Sequence, residues 1–367
     1  MKKQTLFLGI TLFSMFFGAG NLIFAPWLGV QASSAGWLAL AGFLCTAVVA
    51  PISVIVIIAP YGSAKAMISR IWKPLGPIFM TVIYLLIGPV IAIPRTASTS
   101  MEMWTWLIGN SMLSRIVFTV CFFIAASLLA LYPGKLKDFL GRLSGPVLLV
   151  LILMVCIPVL FIPSGSSPAQ PPYDQRPFLS GFNEGYQTMD ILAAFCFGLI
   201  ILLNIRESET GRKNETRTLI FTALIAGFLL AAVYGLLAWT GMRQSFALQE
   251  YTNGAQILSI LASSIWGKFS QPLIGMIFLL ACCNVCAGLL ACCAEYFSLL
   301  IPKAAYRVWL IGFAVLDSIV ALSSLDSILS WSGTLLTWIC PIAILLLLTG
   351  LIHRPKAPKA ESEPSSD

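Results

Sequence analysis

Three groups of residues in this chain have types and spacing that could do chemistry, and each sits in apolar surroundings. The first is Phe17-Gly18-Ala19-Gly20-Asn21-Leu22-Ile23-Phe24-Ala25-Pro26. Glycine weakens a helix interior and lets a ligand approach the backbone, and Pro26 removes a further donor. A helix interrupted here would expose amides and carbonyls, which membrane depth tolerates only where they are buried in protein or line a cavity. Helix packing is the competing reading, because small residues along a span also let two helices approach closely. The second group is Glu184-Gly185-Tyr186-Gln187-Thr188-Met189-Asp190, running into Ala193-Ala194-Phe195-Cys196-Phe197-Gly198. An acid such as Asp190 inside an apolar segment is costly and usually faces a polar cavity or an ion, unless the nearby interface hydrates it. The third group is Cys282, Cys283, Cys286, Cys292 and Cys293. All five share one helix with no histidine nearby, a poor ligand geometry for a metal, so packing is the expected role. The single histidine, His353, follows the last apolar block and offers no imidazole inside the membrane.

The remaining acids have blander readings. Glu295 lies near the inner end of its span, within reach of Lys303, and Asp317 is deeper, a second candidate for proton handling. Arg95 and Glu102 flank a Ser/Thr-rich stretch and read as an outer pair at the interface.

The elements that must position these residues follow from composition. Of 367 residues, 58% are hydrophobic and 10% charged. A water-soluble surface cannot be built from that, and the apolar residues fall into blocks long enough to cross a bilayer as helices. The expected spans are 5–30, 36–60, 75–94, 112–132, 143–163, 184–205, 217–240, 271–299, 304–323 and 327–352, an all-α polytopic protein of about ten transmembrane helices. The opening Met1-Lys2-Lys3 and its apolar run read as the first span, uncleaved. With both ends in the cytoplasm, seventeen of the 22 Lys and Arg fall inside, and Arg95, Arg115, Arg176, Arg243 and Lys268 fall outside. That asymmetry follows the positive-inside rule and leaves no basic patch for nucleic acid. One membrane domain is expected over 1–353, with a disordered cytoplasmic tail at 354–367. Residues 255–266 have helical spacing without the length to cross, a lid or surface helix. The irregular segments lie in spans one and six, each of which opens one half of the chain, so two inverted five-helix repeats are expected, at about 5–163 and 184–352, with the site between them.

FGAGNLIFAPWLG at 17–29, GPVIAIPRTASTSME at 88–102, GYQTMDILAAFCFG at 185–198 and CAEYF at 293–297 together resemble the bacterial branched-chain amino acid carrier family. The resemblance implies the LeuT-type 5+5 fold with helices one and six broken. It also implies import of leucine, isoleucine and valine across the bacterial plasma membrane by cation symport. Sodium is the favoured coupling ion and the proton the alternative, with no other cofactor. A degenerate, non-transporting homologue is the other open reading; a channel would show charge rings or filter loops, which the sequence does not, and an enzyme needs a nucleophile–base pair or a metal constellation within the spans, for which the options are few without membrane histidines. The expected partners are an amino-acid substrate and membrane lipid. The substrate residues are Ala19, Gly20 and Asn21, through their amides and neighbouring carbonyls, with Tyr84, Phe195, Gly198 and Leu289. The cation residues are Ser14, Phe17, Asn21, Ala281, Asn284 and Asp190. Two departures bear on this. Family members usually run on for about two further spans, and where they tend to place paired threonines this chain has Asn284-Val285, which makes sodium coupling less secure than the substrate class.

Overall fold

A computed structural model describes residues 2–159, 161, 165, 167–206, 215–243, 254–323 and 325–352. Among them every regular element is a helix. Along the chain these are α1 (Lys2–Phe16), α2 (Ala19–Ala32), α3 (36–58), α4 (Leu75–Glu102), α5 (Met112–Ala130), α6 (Pro133–Val159) and α7 (Pro177–Tyr186). The second half holds α8 (Asp190–Arg206), α9 (Glu215–Arg243), α10 (Gly254–Trp266), α11 (Ser270–Leu300), α12 (Tyr306–Ala321) and α13 (Leu325–Ile352). The tail expected at 354–367 lies outside the described residues, as does His353.

By length and apolarity seven continuous stretches among the described residues can cross a bilayer, eight with the bent pair α7 and α8. Ten are reached by two physical divisions. The stretch Ala19–Tyr61 turns at Ser33–Ala35, so α2 completes the span begun by α1 and α3 forms the next. The 16-residue α12 is about 24 Å long, short of the usual criterion but most of a hydrocarbon core. Boundaries move where local chemistry outweighs hydropathy. The third span runs on to Glu102 through its polar stretch, and the fifth begins at Pro133, whose ring suits a first helical turn. Ser111 starts α5 by accepting from the Ser114 amide at 3.1 Å, after Gly109 turns the chain at φ 73°.

Both expected interruptions are present. Between α1 and α2, Gly18 is extended at φ −129°, ψ −158° and offers no side-chain cap, so the first amides of α2 have no intrahelical partner. Between α7 and α8 the chain bends by 45°, with Met189 at φ 65°. A third irregularity, which hydropathy hid, lies in α4. Residues Leu86–Val90 form a π-helical turn containing Gly88, at ψ −116°, and Pro89, which lacks an amide to donate.

Packing is crossed between the halves. The broken helix α1/α2 lies along α9, and α7/α8 lies along α3. The approaches are closest at glycine. A Cβ on Gly29 would strike the Ala238 carbonyl, and one on Gly241 the Pro26 carbonyl. Gly181 meets the Ala39 carbonyl and Gly42 the Phe178 carbonyl in the same way. Close helix packing through glycine is thus found at other glycines than those of the first break. The helix expected at 255–266 is α10. Its Ile257 and Leu261 form a small core with Val30 and Val159, and Gly254 sits on the Ile23 carbonyl. Outward-facing Leu113, Phe228, Ile311 and Trp338 present the apolar exterior that lipid covers.

Candidate functional site

The two breaks meet the kinked α4 around one small central cavity. Its walls include Gly18, Ala19, Gly20 and Asn21 from the first break, Thr188, Met189 and Asp190 from the second, Arg95 and Thr96 from α4, and Leu289 from α11. The enclosed space is about 30 Å³, roughly one water's share of the liquid.

Three buried side chains tie the breaks together. The amide nitrogen of Asn21 donates to the Phe16 carbonyl at 3.0 Å and to the Tyr234 hydroxyl, with Asp190 Oδ2 at 3.5 Å. Tyr234, from α9, donates in turn to Asp190 Oδ2 at 2.9 Å. Asn21 is 1% exposed and Asp190 3%, so water does not replace these partners. Each bond therefore matters by the desolvation cost of losing it, about 1–3 kcal/mol.

Arg95 supplies the opposite charge. It is 4% exposed, its Nη1 donates to the Gln187 carbonyl at 3.0 Å, and its Nη2 reaches the Thr188 carbonyl at 3.5 Å. The guanidinium lies 5.8 Å from the Phe24 ring centroid. A Cβ on Gly20 would stand 2.7 Å from Nη2, so glycine is what lets a cation rest on the first turn of α2. A guanidinium and unpaired helix N-terminal amides converge there, an arrangement suited to a carboxylate. The sequence placed Arg95 at the outer interface because the third span was ended at residue 94. The kink at Gly88-Pro89 and the continued helix put it inside instead. Tyr234 was missed altogether; its signal was a lone hydroxyl in the middle of an apolar span.

The expected cation residues divide between two places. Asn21 and Asp190 share the central network, beside which the Phe17 ring stacks on Tyr234 at 6.0 Å. Ser14 and Asn284 meet one π-helical turn of α6, Leu140–Ser144. Ser14 Oγ donates to the Ile10 and Leu140 carbonyls at 3.0 and 3.3 Å, and Ser144 Oγ donates to Asn284 Oδ1 at 2.7 Å. Among the described residues the Asn284 side-chain nitrogen has no partner. Ala281 is fully buried in α11, and Val285 packs on the break itself, 2.6 Å from where a Gly18 Cβ would lie.

Of the expected substrate residues, Ala19, Gly20, Asn21 and Leu289 line the central cavity, while Tyr84, Phe195 and Gly198 do not. Tyr84 and Phe195 wall a separate cavity of about 330 Å³ beside Lys65 and Tyr296. Tyr84 stacks on Tyr296 at 4.2 Å and Phe195 packs edge-on to Phe79 at 5.7 Å. Among the described residues no neighbour stands within 4 Å of a Gly198 Cβ. Phe195, two residues beyond cavity-lining Ala193, points from the opposite face of α8, and Gly198 lies more than a turn beyond Ala193.

A ten-helix bundle with helices one and six broken around a central cavity is the LeuT-type transporter fold. It superposes on Mhp1, a nucleobase-cation-symport-1 family transporter solved in a closed conformation with bromovinylhydantoin bound, at a TM-score of 0.63 and 14% identity, covering 94% of this chain and 77% of that one. Residues 1–361 match the family described as branched-chain amino acid transport protein, and the chain belongs to that family. A putative branched-chain amino acid carrier protein of Staphylococcus haemolyticus is 36% identical over 99% of this chain and 86% of its own length. The branched-chain amino acid permeases BrnQ and BraB of Bacillus subtilis are 35% and 34% identical, over 94% and 96% of this chain and 80% of each permease. The family is one of bacterial multi-pass membrane transporters, not of enzymes.

Proposed function

We propose that this chain imports leucine, isoleucine and valine across the bacterial plasma membrane by cation symport with alternating access, sodium being the favoured ion. Both termini then lie in the cytoplasm, and the repeats span about 5–163 and 184–352. The observation that carries the reading is the presence of Arg95 and Asp190 together on the wall of one buried cavity between two helix breaks. A zwitterion needs both signs and an apolar wall. Its carboxylate matches Arg95 and the amides of Ala19, Gly20 and Asn21; its ammonium matches Asp190; its aliphatic side chain matches Ile87, Ala193 and Leu289. The crossed glycine packing supports the repeats, because the first helix of each half lies on the second helix of the other.

A space of about 30 Å³ does not hold an amino acid. Helices must therefore separate for substrate to enter, and the closed form is one member of the transport cycle. Ser14, Ser144 and Asn284 offer oxygens for sodium near the first break. Proton coupling is the second reading, favoured by the buried acid Asp190 with Tyr234 as its donor.

Radiolabelled leucine uptake into proteoliposomes, under a sodium gradient alone and then a pH gradient alone, tests this. Accumulation driven by sodium and competed by unlabelled isoleucine and valine is the expected result. Accumulation under neither gradient would remove the transport reading.

A further inference from the structure

The carboxyl group of Asp317, on α12, takes no part in the network above. It is 0% exposed, and among the described residues neither of its oxygens has a hydrogen-bond partner. A carboxylate buried without partners is far costlier than the neutral acid in the same place. The titratable groups that face it are the thiols of Cys286 and Cys293 on α11. On α4, Arg95 lines the central cavity and Glu102 an outer one; on α5, Arg115 lines that outer cavity and Cys121 is exposed. No basic side chain among the described residues stands against the acid.

A polar cavity lies to one side of it. A cavity of about 320 Å³ near the outer end of α4, lined by Glu102, Asn110 and Arg115, reaches Ser98, whose hydroxyl donates to the Ala321 carbonyl at 2.8 Å. Ala321 is one helical turn from Asp317, about 6 Å along α12. On the other side Cys286 lies near Thr96, which lines the central cavity. Asp317 thus lies between the outer cavity and the substrate cavity, lining neither.

We propose that Asp317 is a proton-binding site, filled from the outer cavity while α12 is parted from α4 and α11, and closed over when they pack as seen here. Hydronium gives its proton to one carboxylate oxygen, leaving the neutral acid and a water. Sodium does not suit the place, since it needs several hard oxygen ligands and the acid's neighbours are thiols. Closure favours the protonated form, and by linkage protonation favours closure by the same factor. The site stands on its own geometry; only its coupling to leucine rests on the transport reading.

Two measurements on the full chain in liposomes test it. Infrared difference spectra across a pH step are expected to show a carboxylic C=O band that Asp317→Asn removes and Asp317→Glu restores at a shifted position. Asparagine mimics the neutral acid, so that variant is expected to fold and to keep leucine counterflow, while losing leucine-evoked proton uptake read by a pH dye. A band unchanged in Asp317→Asn overturns the proposal, as does, in protein that moves leucine, leucine-evoked proton uptake unchanged in that variant. If wild-type protein moves no leucine but the band is lost in Asp317→Asn, the transport reading fails and the proton site stands.

Discussion

Arg95 and Gly20 form a pair in which each explains the other. The guanidinium occupies the space a side chain would take, and its rigid fork is what distinguishes it from lysine at the same place. Gly20→Ala is expected to abolish leucine uptake while membrane insertion, followed by immunoblot of the membrane fraction, stays normal. Arg95→Lys keeps the charge but loses the two-pronged geometry. Its leucine KM is expected to rise by about tenfold or more, since hydrogen bonds to charged groups contribute about 1.5–3 kcal/mol. An unchanged KM would remove Arg95 from the site. At this scale the sequence was informative where the residue type itself carries the chemistry. Gly18, Gly20 and Asn21 in an apolar run announce exposed backbone, and Asp190 announces a buried charge. Tyr234 and Arg95 were illegible because their roles depend on which helices are neighbours, which no local pattern encodes.

Helices here meet at backbone contact, and the glycines that permit it are separable by experiment from those that do not. Gly241→Val would drive a side chain into the Pro26 carbonyl between α9 and α2. Overpacking of that kind costs about 1–3 kcal/mol, so a lower melting temperature in detergent is expected. Gly312 in α12 has nothing among the described residues within 4 Å of a Cβ. Gly312→Ala is expected to leave the melting temperature unchanged or raise it slightly, because alanine is better in a helix by roughly 0.5–1 kcal/mol. Equal effects of the two would contradict the packing described. The spans themselves were readable from apolar blocks, since a bilayer demands about twenty such residues. Their ends were less so. The polar end of α4, from Arg95 to Glu102, is held helical by neighbours rather than by hydropathy, and α7 and α8 bend apart through a positive φ at Met189, a residue that does not advertise it.

The whole molecule is seen closed, with a central space too small for its proposed cargo. Thr188→Cys, on the cavity wall, is therefore expected to resist a membrane-impermeant maleimide under saturating leucine and sodium and to react once both are removed. Equal reactivity in both conditions would argue against alternating access around this cavity. The crossed arrangement of the halves also bears on how such a protein is made. While the ribosome is still on the first five spans, α1 and α2 are already in the membrane but α9, the surface they will rest on, does not yet exist; α3 waits likewise for α7. Neither half can reach its final shape by itself, so assembly is postponed until the second half is synthesised, and an exposed broken helix must be kept from other partners meanwhile. Two polypeptides divided in the loop at 167–172 and made together are accordingly expected to recover leucine uptake, and either one alone to be degraded.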